Sequence, residues 1–449
     1  MSNLLFPIET LSRELDIRLV LGAMLARPKR RIYIGDKRLL HSIGAHLDGG
    51  VYLGKFIFHR VMHGNTRHFK RLKAHGIRFV YLDEEGGIWQ GGEDEWRRIL
   101  PTRLDPSVFY DDELFLTWGN FQKDFYLENY PGAKSQRFEV AGHPRFDLYK
   151  PEWNDFFSDE TARLRERFGD FVLLNTNLSA ANHVNGPRDV FSKRMGYYNL
   201  DGSLNPNFVP FWELKMHVLA SFVRLVHELT DRIEERIVVR PHPSESIEFY
   251  RYTLAGLPKV DVVREGAVTP WLHACKALIH DGCTTAIEAS LAGKPVINWR
   301  PGGAAKFEHQ LANSIGVRCR STDEVVAVLG GESAGELMTD DAGRLRKMLD
   351  NFNSESISRT VELIEGEMAR AQGRSAMGNL NLQWRATARR MEDHARLLTG
   401  VRRGRTGAQI VKFPGMDNDY IHRKIAFLRE RFDRPVPYRI FSNNMLVIG

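Results

Sequence analysis

The chain is poor in cysteine. Cys275, Cys283 and Cys319 are the only three among 449 residues. They are odd in number and lack metal-ligand spacing, which argues against a disulfide framework and a cysteine zinc site and points to a cytoplasmic setting. A long hydrophobic run is also missing: nothing approaches the roughly 18 apolar residues of a spanning helix. The opening, Met1-Ser2-Asn3-Leu4-Leu5-Phe6-Pro7, has neither a basic leader region nor a small-residue cleavage site, and reads as a first strand. No internal repeat is evident, although the two halves share an alternation of strands and helices. No nucleic-acid module is legible, and no arginine-rich groove alternates with stacking aromatics. The formal charge of +7 therefore points to an acidic partner other than nucleic acid, either phosphate-bearing substrates or an anionic membrane surface.

What is present is a soluble globular composition, 43% hydrophobic and 27% charged, on a chain long enough for two α/β domains and an extension. Apolar strand patterns at 4–8, 31–35, 51–54, 79–82, 114–118 and 138–142 alternate with helical stretches, the first over 11–26. A second series starts at Phe171-Val172-Leu173-Leu174 and continues through 237–239, 277–279 and 296–297. This alternation predicts an α/β fold with two Rossmann-like, doubly wound domains facing a cleft. The boundaries are 1–150 for the N-terminal domain, 151–170 for a linker, 171–353 for the C-terminal domain, and 354–449 for a helical extension packing back on the core. Within that extension 380–398 reads as a basic helix, and 444–448 as a final strand.

Three strands of the second series empty into polar residues at their C-terminal ends, where open α/β sheets bind ligands. They lead into Arg240-Pro241-His242-Pro243-Ser244-Glu245, into His280-Asp281-Gly282-Cys283-Thr284-Thr285, and into Asn298-Trp299-Arg300. Gly282 permits a sharp turn. Thr284 or Thr285 is placed to cap a helix that runs to Ala292, whose start favours phosphate oxygens, and Glu288 lies one turn on, positioned to accept ribose hydroxyls. Arg240 offers a bidentate fork to phosphate, and His242 can donate to a leaving phosphate. Asn175-Thr176-Asn177 reads equally as an Asx turn or as hydrogen-bonding groups for a base or sugar.

In the first series, Asp83-Glu84-Glu85-Gly86-Gly87 ends a buried strand, and crowding of its carboxylates predicts at least one raised pKa suited to acid or base work. The competing reading is a solvated acidic turn. His143, in Gly142-His143-Pro144, reads as a turn anchor rather than a catalytic group. The basic segments 67–73 and 385–405 read either as solvated faces or, together, as contacts to an anionic membrane or lipid-linked acceptor.

The ordered set Phe6-Pro7-Ile8-Glu9-Thr10, Arg13-Glu14-Leu15-Asp16, Asp83-Glu84-Glu85-Gly86-Gly87, Gly142-His143-Pro144-Arg145-Phe146-Asp147, Asn175-Thr176-Asn177, Arg240-Pro241-His242-Pro243 and His280 to Thr285 resembles bacterial surface-carbohydrate biosynthesis proteins. These are similar to GT-B glycosyltransferases using CMP-activated sugars, notably retaining β-Kdo transferases and, more distantly, bacterial sialyltransferases. The resemblance spans almost the whole chain and implies a metal-independent transferase with no cofactor beyond its nucleotide-sugar donor. It would act at the cytoplasmic side of the membrane on a glycan or lipid-linked acceptor. The resemblance carries catalysis to Glu85 and Glu84, with His242 assisting departure of CMP. It carries donor contacts to Arg240, Pro243, Asn177, Gly282, Thr284, Thr285 and Glu288, and the acceptor side to Glu9, Arg13 and Asp83. The carboxylate nucleophile of the β-Kdo transferases has no aligned counterpart, since Asn175 and Asn177 stand at the strand end, and the stereochemical outcome stays open. A CDP-polyol phosphotransferase of the teichoic-acid type shares the fold and similar segments. A non-catalytic envelope scaffold is the remaining alternative.

Overall fold

The structure is a computed structural model that describes residues 2–55, 66–84, 91–103, 113–130, 137–199, 201–302, 305–332, 336–337, 342–371, 376–398 and 412–449. In chain order its strands are β1 (Ser2–Ile8), β2 (Arg30–Asp36), β3 (Gly50–Gly54), β4 (Ile77–Leu82), β5 (Leu114–Thr117), β6 (Phe138–Val140), β7 (Phe171–Asn175), β8 (Arg236–Arg240), β9 (Val260–Val262), β10 (Ala277–His280), β11 (Val296–Trp299), β12 (Val317–Cys319), β13 (Glu336–Leu337), β14 (Tyr438–Phe441) and β15 (Met445–Ile448). They divide between two compact units. One comprises Met1–Gly86, Arg98–Leu148 and Arg346–Gly449; the other comprises Gly87–Arg97 and Tyr149–Leu345.

The first unit holds a sheet in the order β14-β15-β2-β1-β3-β4-β5-β6. Strands β1 to β6 are mutually parallel. Their near-continuous apolar runs suit a sheet buried on both faces; Leu4, Phe6, Ile8, Ile32 and Val51 are all fully buried. Because the chain steps to opposite sides of β1, the direction of winding switches between β1 and β3. The tail returns to this sheet: β15 pairs antiparallel with β2, and β14 with β15. The helices Ser356–Arg370, Asn379–Leu398 and Asn418–Phe432 belong to the same unit.

The second unit is ordered β13-β12-β11-β10-β7-β8-β9 and is parallel except for the short β13. Its core joins Val172, Leu174, Ile237, Val239, Ile279 and Ile297 of the strands to Leu219, Phe222 and Val226 of the helix Phe208–Leu229. That helix repeats apolar residues every three or four positions, the spacing of one buried face. Its sheet winds outward in both directions from β7, so the switch point lies between β7 and β10. The stretch 151–170, read above as a linker, is packed structure within this unit. Trp153, Phe156 and Phe157 are buried there, and the helix Ser158–Phe168 lies against Thr269–Ala274.

Candidate functional site

At the C-terminal edge of the second sheet, Asn175, His280 and Asn298 stand in register on β7, β10 and β11. The loops that follow β7 and β10 are tied together. Asn177 donates its backbone N–H to Asp281 Oδ1 at 3.1 Å and its side-chain amide to the Gly282 carbonyl at 3.0 Å. Asp281 Oδ2 in turn accepts from Lys215 Nζ at 2.8 Å, and both side chains are buried. Burial alone would push the Asp281 carboxyl up, but the Lys215 ammonium, its hydrogen bond and the Arg300 guanidinium outweigh it and hold the group below the usual carboxylate range. Gly282 takes φ +117°, where a side chain is strained, and a Cβ there would stand 3.0 Å from His309 Nδ1. The sharp turn expected at Gly282 is therefore real, and glycine is needed for it.

The Arg240-to-Glu245 loop is built around a carboxylate that the sequence reading did not single out. Glu245 is fully buried. Its oxygens accept from Thr176 Oγ1 at 2.9 Å, Tyr250 OH at 2.6 Å, Leu178 N at 3.0 Å and His242 N at 3.3 Å. Burial raises its pKa, and these donors pull against that rise. Arg264 closes the loop from the other side, donating to the carbonyls of His242, Pro243 and Glu245. Arg240 donates to the carbonyls of Glu265 and Gly266 at 3.3 and 2.7 Å, so part of its fork is anchored to backbone. Burial lowers its pKa, with Glu288 among the groups that oppose the shift. Glu288 is buried and Pro243 is exposed.

The cap expected at Thr284 or Thr285 differs in detail. The helix runs Thr285–Leu291 with Thr284 at the cap position, but Thr284 is already helical at φ −54°, ψ −23° and its hydroxyl makes no capping bond. A threonine caps from an extended backbone, and this turn does not provide one.

Four histidines share one local device. Nδ1 of His143, His183, His242 and His280 accepts the backbone N–H two residues on, from Arg145, Asn185, Ser244 and Gly282, at 3.2, 3.1, 3.2 and 3.0 Å. An Nδ1 that accepts cannot carry the proton, so each neutral ring bears it on Nε2 and presents a donor there. Burial pushes His280 down to about 3 and also lowers His143 and His183.

In the first unit the same device meets a charge. Glu84, at the end of β4, is buried; Oε1 accepts from Arg18 Nη2 at 3.2 Å and Oε2 from His143 Nε2 at 3.1 Å. Burial pushes the Glu84 carboxyl up, but the His143 hydrogen bond and the Arg18 guanidinium outweigh it and hold the group well below the usual range. This corrects the crowding expectation for Glu84, whose nearest charges are cationic. A raised carboxyl beside it is Glu14 on the helix Leu11–Leu25, through burial and the negative charge of Glu84.

Asp83 gives its carbonyl to Trp118 Nε1 at 2.6 Å. Glu9 lies at 3.4, 3.5 and 3.6 Å from Lys55, Lys37 and Lys412; burial opposes these ammoniums, and they bring its pKa to about 2. Arg13 lies 3.7 Å from Glu14. Glu85, the first-choice catalytic carboxylate, lies outside the described residues, as do Gly86 and Gly87 and all of 399–405 beyond the basic helix.

Thus Arg240, His242, Pro243, Asn177, Gly282, Thr284, Thr285 and Glu288 belong to the second unit, and Glu9, Arg13, Asp83 and Glu84 to the first. Lys215, Glu245 and Arg18 went unread. The available signal was a charged residue on an apolar helical face, Lys215 four residues before Leu219 and Arg18 amid Ile17, Leu19 and Val20; such a charge is buried only when paired. Among the described residues, no group of three or more histidine, cysteine or acidic side chains is placed to hold a metal ion.

No family model and no curated protein matches this chain. Among solved structures it is similar to UDP-GlcNAc 2-epimerase from Methanocaldococcus jannaschii, at 12% identity and TM-score 0.48 over 81% of this chain and 99% of that one. It is also similar to S. aureus MnaA bound to UDP, at 11% identity and TM-score 0.45 over 84% and 100%. A third similarity is to the wall teichoic acid polymerase TagF, at 10% identity and TM-score 0.47 over 82% and 89%. No chemistry follows from likenesses this distant.

Proposed function

We propose that this chain is a GT-B glycosyltransferase. It would move an acidic 3-deoxy-ulosonic sugar, Kdo or a sialic-like relative, from CMP onto a surface glycan or lipid-linked acceptor. The observation that carries this reading is the switch-point edge of the second sheet. There His242 is held as an Nε2–H donor beside the Arg240 strand end, while Asp281 and Glu245 have buried partners of their own. Such an edge suits a phosphate, because its nearby carboxylates are engaged and its donors are fixed before the ligand arrives.

In the reaction the bond between the anomeric carbon and the CMP phosphate oxygen breaks, and a bond from the acceptor oxygen to that carbon forms. His242 Nε2–H and the Arg240 guanidinium would stabilise the charge gathering on the leaving phosphate. The acceptor proton would pass to Glu85. Glu84 suits a positioning role, since both of its oxygens are engaged and its low pKa makes it a weak base. The site of action would be the inner face of the cytoplasmic membrane.

The test is incubation with CMP-Kdo and candidate acceptors in EDTA. Release of CMP with a phosphorus-free ketoside is expected. A phosphodiester product from CDP-polyol would instead assign the teichoic-acid type of phosphotransfer. No turnover of either donor by folded protein would leave the scaffold reading.

A further inference from the structure

The helix Asn379–Leu398 carries two apolar faces, and among the described residues one is covered and the other is exposed. Leu382 and Ala386 are fully buried, and the helix packs on Lys37–Gly44 and on β14. Leu380, Trp384 and Met391, by contrast, are 90%, 68% and 67% exposed. With Ala388 and Ala395 they follow the spacing i, i+4, i+8, i+11, i+15, one stripe along the helix roughly 22 Å long at about 1.5 Å per residue. A tryptophan, a leucine and a methionine aligned in water form a patch of the kind that marks an interaction surface.

The charges beside the stripe indicate what covers it. Arg389 is held by Asp36, Glu392 and Asp393, at 3.5, 3.0 and 2.8 Å, so the two acidic residues of the helix are already engaged. Arg390 is exposed on one flank of the stripe, and Arg385 lies on the other, where it donates to Ser42 and Asn381. The surplus beside the apolar stripe is therefore cationic. Pairing two copies of the helix through the stripe would bring these arginines together without a spare carboxylate between them, which disfavours self-association.

We propose that this outward face docks on an anionic lipid bilayer. Leu380, Trp384 and Met391 enter the headgroup and acyl boundary, and Arg385 and Arg390 lie against lipid phosphates. Tryptophan is suited to that boundary, with an apolar ring body and an N–H that stays hydrated. The inference is independent of the sugar and the nucleotide, because it concerns where the enzyme sits rather than what it transfers.

The test is flotation with vesicles of phosphatidylcholine alone and of an equimolar mixture with phosphatidylglycerol. The full-length wild type is compared with Arg390→Gln and with the combined Leu380→Gln, Trp384→Gln, Met391→Gln variant. The wild type should float with the mixed vesicles only. The combined variant should bind more than about tenfold more weakly, and Arg390→Gln about fivefold, the worth of one arginine near such a surface. All three side chains in the combined variant are exposed, so its melting temperature and nucleotide response should match the wild type, which separates failed docking from a failed site. Wild type that stays behind with mixed vesicles overturns the proposal. So does a combined variant that floats equally well, or a wild-type dimer that the combined variant converts to monomer.

Discussion

The two units end their sheets differently. At the end of β4 the first unit gathers full charges, Arg18 and Glu84 with neutral His143, out of contact with water. At the ends of β7, β8 and β10 the second unit fixes neutral donors: the rings of His242 and His280 are turned by backbone N–H groups, and its buried charges are confined to partners, Asp281 to Lys215 and Glu245 to hydroxyls and amides. A buried ion pair with a histidine on its second oxygen locks a strand end in place, whereas an edge of oriented donors with engaged carboxylates is prepared for an anion that comes and goes. On the proposed reading, the described part of the first edge serves rigidity and the second edge receives the donor phosphate.

The sharpest way to break this comparison is to uncouple charge in each unit. Lys215→Met leaves Asp281 ionised and buried without its ammonium, and Arg18→Met does the same to Glu84. Each should destabilise its unit by about 3–5 kcal/mol, read as an earlier unfolding transition in urea, because the remaining charge has lost its partner. If either variant melts like the wild type, that pair is not what holds its strand end.

His242→Ala should separate binding from stability. It removes one modest hydrogen bond to Ser244, at about 1 kcal/mol of stability, but should lower kcat on a CMP-sugar by about 10²–10³-fold, the worth of one oriented donor at a developing charge. Equal losses of activity from His242→Ala and from an exposed control would remove the functional reading of the second edge.

Acid should weaken both units, because Asp281 in the second, like Glu84 and Glu9 in the first, is held below its usual range. Glu84 and Glu9 are both depressed in the folded state, Glu9 to about 2. Depressed carboxyls add stability that is fully present above their unfolded values and is lost as pH falls through the folded ones. The first unit should therefore lose stability progressively as pH drops from about 4.3, the ordinary glutamate value, toward about 2. Glu9→Gln should flatten that loss in chemical denaturation followed across the acid range. The smallest expected effect is Thr284→Ala, within about 0.5 kcal/mol by the same method, because its hydroxyl makes no capping bond; a loss near 1 kcal/mol would show a working cap.

Strand ends were the most legible part of the sequence, because a parallel strand buried on both faces announces its end by the first polar residue. Ile237-Val238-Val239 into Arg240, and Ala277-Leu278-Ile279 into His280, are examples. The strands β9, β12 and β14 were not legible, since a charged residue, Asp261, Arg318 or Arg439, interrupts each short apolar pattern. The pairing of the tail strand β15 with β2 was equally hidden, as it joins residues about as far apart as the chain allows. Within the site, residue types were readable and their partners were not. Glu84 looked crowded by carboxylates because Asp83 and Glu85 flank it in sequence, yet in space Arg18 and His143 face it. Glu245 looked like the tail of a motif, and the fold makes it the centre of the loop.

The most direct test of the central claim is a thermal-shift panel of CMP, CDP and UDP on the wild type and His242→Ala, in EDTA. Ligand at about 100 times its Kd stabilises by about 2.7 kcal/mol, a shift that is easily read. The account predicts that CMP stabilises the wild type and that His242→Ala loses most of the effect. No shift with any nucleotide, or an undiminished CMP shift in the variant, would contradict it.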